Sequence, residues 1–84
     1  MDLYQLKTFV AVAQGGTITR ASELVHLSQP AVSAHIKALE DELQVELFRR
    51  VTRALELTQD GEMLAQGVRR GLSEIARAVA SLDH

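Results

Sequence analysis

The sequence predicts a mostly α-helical fold in which three short helices and a small β-hairpin precede one long helix. Three observations lead to this prediction. Apolar residues recur at three- and four-residue steps over most of the 84 residues, as the buried face of a helix requires. After Gln44 this period changes, and the short runs at residues 47–49 and 54–57 alternate, which is typical of short strands. Thr17, Ser28 and Thr58 each precede a periodic segment, and these residue types cap helix N-termini.

The first two helices are short and are separated by glycine. The first is predicted over residues 3–14 from the spacing of its apolar residues, which are Leu3, Leu6, Phe9 (or Val10) and Ala13. The glycine pair at 15–16 ends it, because glycine readily adopts the left-handed backbone that closes a helix. Thr17 caps a second helix over residues 18–25, and a tight turn follows at residues 26–27.

The third helix, predicted over residues 29–43, carries two different stripes. Ser28 caps it, and Pro30 stands in the first turn, where a missing N–H has no cost. One stripe is apolar and consists of Val32, Ile36, Leu39 and Leu43. The other is polar and consists of Gln29, Ser33 and Lys37. Two short helices joined by a tight turn, the second with a separate polar stripe, form the helix-turn-helix pattern.

A small β-hairpin is predicted after the third helix. Residues 47–49 and 54–57 are short and alternating enough to be strands, and residues 50–53 connect them. The connection contains Arg50 and Arg53, so arginines lie at the tip. It has neither Gly nor Asn, which leaves the turn type open.

The fourth helix is predicted to run from the Thr58 cap to about Leu82. Its apolar residues alternate three- and four-residue steps, the a and d spacing of a coiled coil. They are Ala65, Val68, Leu72, Ile75, Val79 and Leu82. Because we expect the globular core to be complete without this helix, the stripe is predicted to be a homodimer interface.

Side chains on the third helix suit the major groove of double-stranded DNA. Gln29 can bond bidentately with adenine, Ser33 can reach a base or a phosphate, and Lys37 is placed for the backbone. Pro30 and Ala31 are short enough to let the helix approach, and their carbons can meet a thymine methyl group. The alternative is an ordinary solvated helix face, since Gln, Ser and Lys are common on surfaces.

The hairpin favours the DNA interpretation. Arg53 is predicted to enter the minor groove, where a narrow A·T-rich stretch concentrates negative potential. Arg49 is predicted to contact a phosphate, with a solvated basic loop as an equal alternative. Arg50 is expected to pair instead with Glu40 at the end of the third helix. The full set of predicted DNA-contacting residues is Gln29, Pro30, Ser33, Lys37, Arg53, Arg49, Thr17, Ser28, Ala31 and His35.

The charge balance is unusual for a DNA-binding protein. The chain has 9 Lys and Arg against 11 Asp and Glu, a net charge of −2, whereas nucleic-acid binders are usually basic. If the chain binds DNA, its positive charges must therefore be concentrated on one face. The acidic residues near the end of the third helix are Glu40, Asp41, Glu42 and Glu46. They either orient the domain by repulsion from DNA or form a solvated acidic turn.

Several other functional classes lack the residues they need. Cys is absent and aromatic residues make up 4%, which excludes thiolate sites and disfavours a base-stacking platform. His26 and His35 are not four residues apart, so we expect no metal site, and we expect no cofactor or catalytic set. No apolar run reaches the ~20 residues that span a bilayer, and the N-terminus is unlike a signal peptide. A cytoplasmic, nucleoid-associated protein is expected.

The sequence resembles the DNA-binding region of the LysR-type transcriptional regulators over essentially its whole length. The matching residues are Leu6, Phe9, Ala21, Leu24, the run Ser28-Gln29-Pro30-Ala31-Val32-Ser33, Ile36, Leu39-Glu40, Leu47-Phe48, Arg50, Leu57-Thr58 and Gly61. The resemblance implies a winged helix-turn-helix over residues 1–58 and a linker helix over residues 59–84 that pairs antiparallel with its twin. An effector-binding domain normally follows in the family and is absent here, so we expect this chain to be a DNA-binding fragment. We further expect an inverted-repeat operator and a higher oligomer of the full-length protein.

Three positions depart from the family pattern. Gln44 stands where a Gly usually closes the recognition helix. If the backbone there is left-handed, the presence of a side chain costs about 1–2 kcal/mol. Ser22 introduces a hydroxyl that needs a carbonyl partner. Ala34 lacks the basic or polar side chain of many relatives, which shifts DNA contacts toward His35 or Lys37.

Two alternative functions stay open at this point. Ala34 and the negative net charge motivate a helical dimerisation or protein-interaction module without DNA binding. A winged-helix domain of another regulator type, such as the molybdate-responsive one, is the other alternative. The salt dependence of DNA affinity separates a DNA binder from a module that does not bind DNA.

Overall fold

The computed structural model describes residues 1–82, which form four helices and one antiparallel hairpin. In chain order these are α1 (Leu3–Gly15), α2 (Ile18–Val25), α3 (Gln29–Leu43), β1 (Phe48–Val51), β2 (Ala54–Leu57) and α4 (Gln59–Ala80). The mostly α-helical fold and the order of its elements agree with the prediction. Within these residues, no helix has both the length and the apolar character that crossing a membrane requires.

The three capping residues predicted from the sequence lie at the N-termini of α2, α3 and α4. Thr17, Ser28 and Thr58 each accept a hydrogen bond of 3.0–3.2 Å from the backbone N–H three residues later. Their side chains satisfy N–H groups that have no partner inside the helix. Asp2 does the same for α1 in a capping box with Gln5, which the periodicity had not indicated.

Left-handed backbone ends each of the three short helices. Gly16, His26 and Gln44 have φ values of 77°, 57° and 57°. Gln44 thus adopts the strained conformation expected of it, and its side-chain amide donates to a carbonyl in the last turn of α3 at 2.6 Å. Ser22 also finds the expected carbonyl partner, that of Thr19, at 2.7 Å.

The second strand of the hairpin matches its prediction at residues 54–57, whereas the first lies further along the chain than predicted. β1 begins at Phe48 rather than Leu47, and it extends to Val51, which pairs with the first residue of β2. Only residues 52–53 remain in the turn, and Arg53 has a φ of 60°. Leu47 lies in the core instead, where it is completely buried.

The globular core extends into α4, so the expectation that the core is complete without this helix is wrong. The buried apolar residues that form one cluster are Phe9, Ala11, Val12, Ala21, Val32, Ile36, Leu39, Leu47 and Ala65. Gly61 lies so close to the segment before β1 that a Cβ there would be 2.1 Å from the Leu47 carbonyl oxygen. The core therefore spans the boundary predicted between residues 58 and 59. The helix ends at Ala80, so Leu82 lies beyond it.

Candidate nucleic-acid interface

The start of α3 presents the predicted polar stripe to solvent. Gln29, Pro30 and Ser33 are exposed, and Ala31 is half-buried beside them. Each four-residue step from Gln29 to Ser33 and Lys37 turns the helix by roughly 40°. The three polar side chains therefore project within one sector of the helix, where they can contact a common ligand.

Two predicted DNA contacts, Thr17 and Ser28, are also helix caps. Each uses its hydroxyl oxygen as an acceptor for a backbone N–H. A hydroxyl that accepts in this way still has its own hydrogen to donate. Both side chains can therefore donate to a phosphate oxygen while they keep their helices capped.

The acidic residues at the end of α3 are engaged within the chain. Lys37 Nζ lies 3.5 Å from Asp41 Oδ2 in an exposed pair, and the N-terminal ammonium group pairs with Glu42. Exposed pairs of this kind contribute only about 0–1 kcal/mol. Lys37 can therefore leave Asp41 for a phosphate at little cost.

Glu40 has a partner other than the predicted one. Its Oε2 accepts a hydrogen bond of 2.7 Å from the backbone N–H of Leu47. The predicted pair of Glu40 with Arg50 is therefore wrong. Arg50 lies on β1 opposite Leu55 of β2, and it is exposed.

The hairpin packs beside the start of α2, an arrangement that the sequence analysis missed. The N–H of Leu55 donates to the Gly16 carbonyl at 2.9 Å. Thr17, Arg50 and Arg53 line a single groove between the two elements. The first turn of α2 contains no acidic residue, so the free N–H groups there and both arginines make this surface positive. No local pattern could reveal it, because the contact joins segments that are distant in sequence.

Arg49 lies on the same hairpin, but its charge has a partner. Its Nε is 3.0 Å from Glu56 Oε1 on the opposing strand, with both side chains more than half exposed. Arg53, at the tip of the hairpin, is exposed in a left-handed conformation. Arg49 must therefore break its ion pair with Glu56 before it can contact a phosphate.

His35 faces α1 rather than the polar stripe. Its Nδ1 lies 2.9 Å from Thr8 Oγ1, and its ring packs edge-on against that of Tyr4, with 5.6 Å between centroids. At about 100° per residue, His35 is roughly 200° around α3 from Ser33. The structure therefore does not bring His35 together with the other predicted DNA-contacting residues.

The apolar stripe of α4 divides into a buried and an exposed part. Ala65 is 1% exposed and Val68 is 9% exposed within their own chain. The structure thus removes Ala65 from the predicted dimer surface. Ile75, Val79 and Leu82 are 48%, 65% and 66% exposed. An apolar groove between α1 and α4 is lined by Leu3, Leu6, Gly67, Gly71, Leu72 and Ile75.

Comparison with known proteins identifies similar sequences. Residues 3–62 match the family model described as bacterial regulatory helix-turn-helix protein, lysR family. Over 84 residues the chain is 49% identical to an uncharacterized HTH-type transcriptional regulator encoded in the ibpB-leuC intergenic region of Azotobacter vinelandii. It is 39% identical over 85 residues to the RuBisCO operon transcriptional regulator of Allochromatium vinosum. These matches include 100% and 98% of this chain, but only 58% and 28% of the two relatives' lengths.

Two solved structures with a similar fold contain DNA. The CbnR DNA-binding domain in complex with DNA has a TM-score of 0.89 and 37% identity, covering 96% of this chain and 93% of that one. The BenM DNA-binding domain in complex with benA site 1 DNA has a TM-score of 0.91 and 32% identity, covering 96% and 94%. These matches confirm the predicted fold of this chain, a winged helix-turn-helix followed by a long helix.

Proposed function

This chain belongs to the lysR family of bacterial regulatory helix-turn-helix proteins, and we propose that it binds double-stranded DNA at specific sequences and regulates transcription. The observation that carries the proposal is the exposed polar stripe at the start of α3. In a helix-turn-helix, the N-terminal residues of the second helix contact base edges in the major groove. The DNA complexes of two relatives with this fold support the same assignment.

We assign base reading to the first two turns of α3. Gln29 pairs bidentately with adenine, and Ser33 reaches a neighbouring base or phosphate. Pro30 and Ala31 have short side chains, so the helix backbone can approach the bases, and their carbons meet a thymine methyl group. Lys37, one turn further on, releases Asp41 and contacts the backbone.

We assign the minor groove and the adjoining phosphates to the hairpin and α2. Arg53 projects from the two-residue turn and enters the minor groove, where A·T-rich sequence concentrates negative potential. Thr17 and Arg50 share the positive groove at the start of α2, and they bind a phosphate there. This surface also reconciles DNA binding with a net charge of −2, since Asp41 and Glu42 lie at the other end of α3.

We propose that the chain forms a homodimer through α4. Its last two turns carry Ile75 and Val79, which are 48% and 65% exposed, while α1 and α4 form an apolar groove that Ile75 helps to line. Gly67 and Gly71, four residues apart along that groove, have open space where a Cβ would stand. An antiparallel partner helix can therefore approach closely there and place its own exposed apolar residues in the groove.

A two-fold dimer presents two copies of α3 to DNA, which predicts an inverted-repeat operator. The chain spans 58% and 28% of the lengths of the two relatives compared above. For the whole protein we propose the family's arrangement, with an effector-binding domain, a higher oligomer and a cytoplasmic location on the nucleoid.

Selection of duplexes from a random-sequence pool tests the proposed function. We expect the wild-type chain to enrich an inverted repeat, and we expect Gln29→Ala to cost about 1–3 kcal/mol on that site and to relax discrimination at one base pair. Gln14→Ala is the matched control, because Gln14 is an exposed glutamine on α1. Equal losses on selected and random DNA would make Gln29 structural rather than a reader.

The alternative of a dimerisation module without DNA binding rests on the negative net charge and on Ala34. Measurement of DNA affinity over a series of salt concentrations distinguishes this alternative from the proposed function. A DNA binder loses affinity steeply with added salt, because bound phosphates release counterions. A chain that dimerises but enriches no duplex would favour the alternative.

A further inference from the structure

We infer that His35 is a positioning residue of the recognition helix, a role that rests on the proposed function and refines it. Its hydrogen bond to Thr8 on α1 sets the rotation of α3 about its own axis. Thr8 is completely buried, and among residues 1–82 it is the one buried side chain that is polar or charged. Its Oγ1 lies 2.9 Å from His35 Nδ1.

The hydrogen bonds around Thr8 determine which imidazole nitrogen carries the proton. The Thr8 hydroxyl has one hydrogen, and it donates to the carbonyl of Tyr4 at 3.1 Å. Both contacts of Oγ1 are then satisfied only if His35 donates from Nδ1–H and Thr8 accepts. The edge-on Tyr4 ring restricts rotation of the imidazole. The side chain of His35 is therefore held from two sides by α1.

This bond differs in kind from the rest of the contact between α1 and α3. The buried residues that these helices otherwise contribute to the core are apolar: Phe9, Ala11, Val12, Val32, Ile36 and Leu39. Apolar burial is non-directional, so it tolerates a small rotation of α3. A hydrogen bond is confined to a narrow range of distance and angle. The bond between Thr8 and His35 therefore selects one rotation from those that the apolar core allows.

The rotation of α3 determines where its reading side chains lie. A helix with its side chains has a radius of about 5–6 Å, so a rotation of roughly 10° moves a side-chain tip by about 1 Å. Recognition needs the contacting groups within about 0.5 Å of their places. Loss of the bond should therefore displace the side chains of Gln29 and Ser33 from their positions for base contact, although neither residue touches Thr8.

The test compares variants of Thr8, which cannot touch DNA because it is completely buried. Thr8→Val removes the hydroxyl at nearly constant volume, and Thr8→Ser is the matched control that keeps it. The probes are the duplex that the wild-type chain selects and a scrambled duplex of equal composition. We expect Thr8→Val and His35→Ala each to lower the ratio of the two affinities about 5- to 10-fold. The double variant should lose no more than either single one, since both remove one bond.

Two further measurements separate positioning from a general structural role. His35→Asn keeps a donor near the place of Nδ1, and we expect it to recover most of the ratio lost in His35→Ala. The ¹⁵N chemical shifts of the His35 ring should report Nδ1–H in the wild type and Nε2–H in Thr8→Val. Circular dichroism verifies that each variant is folded.

Each opposing outcome overturns the inference. A wild-type affinity ratio in Thr8→Val, with loss only in His35→Ala, would make His35 a direct DNA contact. An Nε2–H tautomer in the wild type would contradict the donor assignment. If the wild-type chain selects no duplex, the proposed function itself is wrong, and so is the role of His35 in positioning α3 on DNA.

Discussion

The carboxylate of Glu40, on α3, accepts a 2.7 Å hydrogen bond from the backbone N–H of Leu47, the buried residue just before the hairpin. The carbonyl of Leu47 in turn accepts a hydrogen bond of 3.0 Å from the N–H of Thr58, the cap of α4. One buried residue thus bonds to α3 and to the cap of α4, and it directly precedes the hairpin. This connection of two hydrogen bonds ties α3 and the start of α4 to the same buried residue.

Removal of the Glu40 carboxylate should destabilise the domain, because the buried N–H of Leu47 would lose its acceptor. We expect Glu40→Ala to lower the free energy of unfolding by about 1–3 kcal/mol. Glu40→Gln should lose less, since an amide oxygen can still accept. Urea unfolding measures both, with Glu46→Ala at an exposed acid as the control. If Glu40→Ala is as stable as Glu46→Ala, the connection has no energetic importance.

Glycine at position 61 should be necessary for α4 to dock. A Cβ there would lie 2.1 Å from the Leu47 carbonyl oxygen, which is a backbone atom and cannot move independently. We expect Gly61→Ala to lower the free energy of unfolding by about 1–3 kcal/mol. Gly67→Ala is the matched control on the same helix, where a Cβ meets nothing within 4 Å. It should raise stability by about 0.5–1 kcal/mol, as measured by thermal unfolding of dilute, monomeric protein. Similar effects of the two substitutions would contradict the close approach of α4 to Leu47.

Arg53 should contribute affinity that depends on the sequence flanking the operator. We expect Arg53→Ala to weaken binding roughly tenfold, about 1.4 kcal/mol, on A·T-rich flanks and distinctly less on G·C-rich flanks. Competition assays with the two kinds of duplex measure the difference, and Arg20→Ala on the exposed surface of α2 is the control. Equal losses on both flanks would mean that Arg53 contacts only phosphate. No loss on either would mean that the hairpin does not contact DNA.

The exposed end of the α4 stripe should control the oligomeric state. Val79 is 65% exposed, so Val79→Lys leaves the core of its own domain intact while it places a charge in the proposed dimer interface. We expect monomers in sedimentation experiments at micromolar concentration and a loss of DNA affinity of about 100-fold or more, because two half-sites no longer bind as one unit. Ser73→Lys, at an exposed position of the same helix, should leave the dimer unchanged. A wild-type monomer, or a dimeric Val79→Lys variant, would refute the proposed interface.

The sequence by itself determined the four helices, the N-caps of three of them and the polar stripe. Thr17, Ser28 and Thr58 cap N–H groups only three residues away, and an apolar stripe depends on the repeat of a single helix. These interactions are local, so they can be read before the fold is known. The residues Gln29 and Ser33 are exposed in the structure for the same reason: their helical spacing separates them from the buried stripe.

Only the tertiary structure decided which distant partners these elements acquired. Periodicity could not distinguish Ala65, which enters the core of its own domain, from Val79, which stays exposed, because both fit one stripe. Nor could it place Glu40 on Leu47 or His35 on Thr8. Such pairs form between segments far apart in the chain, and their choice depends on how the helices pack. Local spacing specifies each helix, whereas the three-dimensional arrangement specifies which of its side chains remain available to DNA or to a second subunit.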